Sequence, residues 1–128
     1  MFTKTRLGYK FTIHMNKNIN IRFRHWVFID DMKFFGPGRL ELLEHIESTG
    51  SISKAAKLMN MSYKKAWLMV DEMNNHAQKP YVITQKGGQH GGGTLVTEAG
   101  KKLMQAYKIL DTKLAAVVEA EKELLTLI

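Results

Sequence analysis

Gly50–Asn74, GSISKAAKLMNMSYKKAWLMVDEMN, followed at 87–100 by GGQHGGGTLVTEAG, is the stretch on which the fold turns. Two short apolar-periodic segments are split by a turn, and a glycine-rich tip then separates two short β-prone runs. That order is the layout of a winged helix-turn-helix, and it implies sequence-specific DNA binding.

The serines punctuate the first part. Ser51 or Ser53 is the N-cap of a helix over about Ser53 to Met59, because a short hydroxyl side chain satisfies an orphan backbone N–H. Ala55 and Ala56 leave little bulk between this helix and the next, so the two can approach closely. Asn60-Met61 makes the turn, and Ser62 caps a third helix through about His76. Its Ala66, Val70 and Met73 recur at i, i+4 and i+7 and face the core. Tyr63, Lys64 and Lys65 are thereby placed in the first turn, where a recognition helix presents side chains to base edges and phosphates. Two lysines beside the positive end of the helix dipole gain nothing from it, which favours an anionic partner over a merely solvated position. Trp67 either packs to fix the angle of this helix or offers its indole N–H to a phosphate.

YVITQ and TLVT flank the glycine-rich tip as two strands of a hairpin, the wing. Glycines there let the main chain come close to a phosphate, and Lys86, Gln89 and His90 supply donors. A nucleotide phosphate loop would instead lead from its Lys and Ser/Thr directly into a helix, whereas here a strand follows.

Upstream, Gly36-Pro37-Gly38 opens a scaffold helix over about Arg39 to Ser48. Leu42, Leu43 and Ile46 form its buried face, and Gly50 suits its C-terminal stop. Ile19 to Phe35 alternates and then runs apolar through HWVFI, which predicts a β-hairpin covering the helical core, with Arg22 and Arg24 as further candidates for backbone contact. Downstream, Thr97 caps a long helix. Leu103, Tyr107, Leu110, Leu114, Val117 and Leu124 follow in steps of four and three, interrupted at Glu121. Continuous to about Leu125, that helix would run on the order of 40 Å, and its stripe is assigned to homodimerisation, which also matches two-fold DNA half-sites. Folding back onto its own hairpin is the alternative.

The expected fold class is mainly α with small β: a winged helix-turn-helix with an N-terminal β-hairpin and a long C-terminal dimerisation helix. Residues 1–18 are expected as an N-terminal tail open to disorder, 19–97 as the hairpin and winged unit, and 98–128 as the dimerisation helix. Met15 is a candidate alternative start.

With 128 residues, 45% of them hydrophobic, the chain can bury one sizeable core. A formal net charge of +7 points to a polyanion, because each phosphate neutralised releases condensed counterions. The absence of cysteine excludes a disulfide framework and any thiolate metal site, and fits a cytoplasmic protein. No apolar run reaches the roughly 18 residues of a membrane span, so no membrane partner is expected. His14, His25, His45, His76 and His90 fall in different elements without metal-ligand spacing, and the methionines are assigned to core filling. No metal, no cofactor and no catalytic constellation is expected, so the chain is taken as a non-enzyme.

GRLELLEHIESTGSISKAAKLMNMSYKKAWLMVDEMN with GGQHGGGTLVTEAG resembles the N-terminal DNA-binding domain of molybdate-responsive transcription regulators of the ModE type, itself similar to the winged helix of LysR-type regulators. The resemblance covers roughly Gly36 to Leu110, and SYKKAW with a GGxxGGG wing is its most specific part. It implies that Ser53 and Lys54, Ser62 to Lys65, and Lys86 to Gly93 approach DNA, and that the terminal helices dimerise. The chain stops at Ile128 without the oxyanion-binding domains of full-length regulators, so molybdate is not expected to bind it directly, and its effector is left open. A protein-interaction module using Trp67 and the N-terminal hairpin, and a small oxyanion-binding protein using the GGQHGGG backbone, are the alternatives from other classes.

Overall fold

Three hydroxyl side chains decide where helices begin. Ser51 Oγ accepts from Lys54 N at 3.1 Å, Ser62 Oγ from Lys65 N at 3.1 Å, and Thr97 Oγ1 from Gly100 N at 3.2 Å. The structure, a computed structural model, describes residues 2–6, 8–14, 18–85 and 93–128. In it these caps open α2 (Ile52–Leu58), α3 (Tyr63–Asn75) and α4 (Glu98–Ala120). Ahead of them α1 (Pro37–Thr49) starts on its proline and stops at Gly50, whose φ of 68° is the left-handed conformation that glycine adopts without strain.

The core forms where the small residues let these helices close up. Ala55, Ala56 and Ala66 are buried between α2 and α3, against Leu42, Leu43 and Ile46 of α1 and Val70 and Met73 of α3. Each fully buried leucine or isoleucine contributes about 1.5–3 kcal/mol. Ser51, left open beside Ser53 in the sequence, is the residue that caps α2, and the helical core faces fall where their periodicity puts them.

Seven strands complete a mixed α and β architecture among the described residues. β1 (Phe2–Thr5), β2 (Gly8–His14) and β3 (Asn18–Phe23) form an antiparallel sheet in that order. β4 (Val27–Ile29) pairs with β5 (Met32–Phe35) across a turn at Asp30, and β6 (Val82–Thr84) pairs with β7 (Thr94–Val96). Two expectations are corrected here. Within residues 1–18, expected as a tail open to disorder, Phe2–Thr5 and Gly8–His14 are strands. The single hairpin over Ile19 to Phe35 is two separate structures, since β3 pairs backward with β2 (Ile19 opposite Ile13, Arg22 opposite Lys10) and β4 pairs forward with β5. Alternation identifies residues that suit a strand but is silent on the partner, which is a long-range property.

The long helix is shorter than its stripe suggested. α4 ends at Glu121, where φ −106° and ψ 62° leave helical geometry, and a separate turn, α5 (Glu123–Thr126), follows. No glycine or proline dictates the stop; after it Leu125 is buried, while Leu124 is exposed. Near its start, a Cβ on Gly100 would stand 2.4 Å from the Tyr81 carbonyl oxygen and 2.7 Å from Val96 Cγ1, so only glycine lets α4 approach the β6–β7 hairpin this closely. Among the described residues, no helix is long and apolar enough to cross a membrane.

Candidate nucleic-acid interface

Because Ala66, Val70 and Met73 turn inward, the opposite face of α3 is left to solvent. Tyr63 is 56% exposed, and Lys64 and Lys65 are exposed beside it. Ser53, Lys54 and Lys57 are exposed on α2. Between Ser51 and Val70 the chain carries these four lysines and no carboxylate, and none of the four is in an ion pair among the described residues. The capped start of α3 therefore presents uncompensated positive charge on a rigid element. Such a surface can hold phosphate oxygens by charge-assisted hydrogen bonds and bring Tyr63 and the two lysines to base edges.

At 44% exposed, Trp67 joins Tyr63 on the outer face of α3, and Leu68, 49% exposed, lies next to it. On the inner side a strut fixes the helix: Arg39 donates to the Phe34 carbonyl at 2.7 Å and to Glu72 Oε1 at 2.8 Å, tying α1 to α3. This pair also occupies Glu72, one of the two carboxylates of α3.

The hairpin is aligned to α3 by Asn74. Its Oδ1 accepts from Tyr81 N at 2.9 Å and Val82 N at 3.3 Å, and its Nδ2 donates to the Val82 carbonyl at 2.9 Å. On the other strand Thr94 N donates to the Gly50 carbonyl at 2.9 Å, so the end of α1 holds β7. Gln85 N donates to the Gly93 carbonyl at 2.7 Å and continues the ladder toward the tip. Lys86, Gln89 and His90, singled out in the sequence as wing donors, lie outside the described residues. Asn74 and Arg39 were missed by sequence reasoning; an asparagine seven residues before a strand was the only available signal for the first.

The apolar stripe of α4 divides in two. Tyr107 is buried inside the protomer, which removes it from the dimerisation set: its hydroxyl donates to the His25 carbonyl at 2.7 Å and its ring meets Phe35 edge-on at 5.2 Å. Leu103 packs partly buried against the same core. Leu110 (45%), Val117 (59%) and Leu124 (61%) are exposed, with Leu114 half-buried between them. Burial, followed by the Asp111 carboxylate and Tyr9, raises the Tyr107 phenol well above its ordinary range. His25 stacks on Tyr107 at 4.1 Å, and its Nδ1 lies 2.7 Å from Asp111 Oδ1, off the line a hydrogen bond needs.

No family model matches the chain. It is 41% identical over 85 residues to the molybdenum transport protein ModE of Azotobacter vinelandii, an overlap of 66% of this chain and 32% of that protein. It is 41% identical over 92 residues to the molybdenum-pterin-binding protein MopB of Rhodobacter capsulatus, covering 72% of this chain and 34% of that one. The DNA-binding transcriptional dual regulator ModE of Escherichia coli strain K12 is 43% identical over 77 residues, 60% of this chain and 29% of the regulator. The chain thus spans about a third of the length of the curated relatives it matches. None of the three is named as an enzyme. Over roughly two thirds of its length, then, the chain is a homologue of the molybdenum-linked ModE and Mop proteins.

Proposed function

We propose that this chain is a cytoplasmic, non-enzymatic transcription regulator of the ModE type that binds double-stranded DNA sequence-specifically as a homodimer. The observation that carries it is the exposed, carboxylate-free start of α3, where Tyr63, Lys64 and Lys65 stand on a helix held from behind by Arg39 and by its alanine contact with α2. In this proposal α1 to α3 with the β6–β7 hairpin act as a winged helix-turn-helix. The start of α3 enters the major groove, Ser53 and Lys54 meet the flanking phosphates, and Trp67 lies at the groove edge. Lys86, Gln89 and His90 enter as wing contacts on sequence alone. Homodimerisation falls to Leu110, Leu114, Val117 and Leu124, the part of the stripe that its own protomer leaves uncovered. No molybdate site is assigned to the chain; the names of its relatives supply the molybdenum connection of the pathway.

Selection of bound duplexes from a random pool tests this. The wild-type chain should enrich one motif, and Lys64→Ala/Lys65→Ala should lose that enrichment; a wild type that enriches nothing ends the proposal. The exposed apolar run of Trp67, Leu68 and Leu58 (57% exposed) favours a protein-interaction module as the second reading. On that reading the double substitution leaves partner binding intact.

A further inference from the structure

The positive charge of this protein is concentrated away from α3. Residues 1–29 hold six Lys and Arg and no Asp or Glu, a net of +6; the remaining 13 Lys and Arg against 12 Asp and Glu give residues 30–128 a net of +1. β1 to β3 carry three of these cations, Lys4, Lys10 and Arg22, and Arg6 and Arg24 lie just outside the strands. The register sets Lys10 directly opposite Arg22, and Arg24 follows two residues on, just past the end of β3 and about 7 Å along an extended chain. Thr3, Thr12 and Asn20 alternate with them on that face, so it carries no acid and no large apolar side chain.

Like charges directly opposite in a sheet are destabilising unless something anionic lies across them. Nothing among the described residues does. Among the described residues Lys10, Arg22 and Arg24 have no carboxylate partner, and Arg6 reaches Glu41 only at 3.8 Å with its side chain 67% exposed. Arg22 is exposed and braced on its own strand, its Nε donating to Asn20 Oδ1 at 2.9 Å. Arg24 lies over the Trp26 ring at 4.8 Å, and Lys33 lies over the same ring at 4.6 Å, extending the cationic run onto β5. A groove of about 700 Å³ lies at the sheet, lined by Arg6, Lys10, Arg22 and Arg24 together with Thr5, Tyr9 and Phe23, and by no carboxylate.

We propose that this sheet face is a second nucleic-acid contact, one that binds the phosphodiester backbone without reading sequence and is separate from α3. A lipid surface needs buried apolar area in addition to charge, and the aromatic pair at the groove, Tyr9 and Phe23, is half-buried and stacked on itself at 5.6 Å rather than standing out as an anchor. Choosing duplex DNA as the backbone concerned rests on the function proposed above; the charge pattern of the sheet does not.

Binding of the full chain to random duplexes, across a salt series and against duplex length, tests the proposal. Lys10→Gln/Arg22→Gln/Arg24→Gln, which keeps side-chain length, should weaken random-duplex binding about tenfold or more and reduce the slope of log K against log salt by about two to three, near 0.9 per phosphate lost. Its preference for a selected motif over random duplex should stay within about twofold of wild type, because phosphate contacts carry no sequence information. A thermal melt at wild-type temperature shows that the loss is not unfolding, and single substitutions replace the triple if it is. An unchanged salt slope overturns the proposal. So does length-independent binding that inorganic phosphate competes away, which marks a small-anion site, and so does tighter binding to phosphatidylserine vesicles than to duplex. Lys64→Ala/Lys65→Ala separates the two proposals: if it keeps full motif preference while the sheet variant loses salt slope, the α3 reader fails and the sheet contact stands.

Discussion

Tyr107→Phe should destabilise the protein at neutral pH and make it less sensitive to alkali. The phenol is 5% exposed and its hydroxyl donates to the His25 carbonyl at 2.7 Å, so the substitution keeps the ring against Phe35 and strands a buried acceptor. That costs about 1–2 kcal/mol. The pH dependence follows from the raised phenol in the folded state. An unfolded tyrosine ionises near pH 10, whereas the folded chain holds the Tyr107 proton beyond that point. The folded state therefore binds the extra proton, and the stability linked to it is fully present below about pH 10 and is lost as pH rises further. One unit above the unfolded value the wild type should have lost about 1.4 kcal/mol through this group, a loss the phenylalanine variant cannot suffer. Urea unfolding of both proteins at neutral pH and near pH 11 gives the difference, and the titrations shared by both chains cancel in it. The stability gap should narrow by about that amount at the higher pH. A gap of equal size at both pH values would refute the reasoning, as would tyrosinate absorbance showing all four tyrosines ionising near their ordinary value in the folded protein.

Three further substitutions probe the frame around the candidate interface. Gly100→Ala improves helix propensity by about 1 kcal/mol, yet it should lower the melting temperature, because the new methyl must displace the Tyr81 carbonyl from 2.4 Å. Asn74→Ala removes three hydrogen bonds at the base of the hairpin and should cost about 2–3 kcal/mol, with amide exchange accelerating at Tyr81 and Val82 before the helical core. Equal protection loss throughout the chain would argue against a local role. Leu110→Lys/Val117→Lys alters side chains that the chain leaves 45% and 59% exposed, so monomer stability should move by less than about 0.5 kcal/mol while the proposed self-association, followed by sedimentation, should be lost. An unchanged sedimentation profile would return the stripe to solvent.

Local chemistry was legible in the sequence. The caps at Ser62 and Thr97, the stop at Gly50 and the inward faces of α1 and α3 depend on neighbours within a turn or two, and spacing exposes them. Long-range contacts were not. The heptad steps made Tyr107 equivalent to Leu110, since periodicity marks an apolar face without saying what covers it; His25 and Phe35, more than seventy residues upstream, claim the tyrosine. Trp67 was left open between packing and a phosphate contact, because spacing alone does not say which side of α3 is covered; in the fold it is 44% exposed on the outer face. β1 and β2 were overlooked because their justification is pairing with β3. Asn74 reads as a helix end, and only the chain's return at Tyr81 gives its amide something to hold.

The hairpin is secured at its base from both sides, by Asn74 on β6 and by the Gly50 carbonyl on β7. Neither clamp involves the segment at 86–92, so these two contributions to positioning the strands do not depend on what joins them. Doubling a connecting loop costs only about 0.6 kcal/mol in closure entropy. The join is thus a place where the protein can be edited: insertions, shortened tips or grafted recognition sequences can be exchanged there while the same two anchors keep the strands in register.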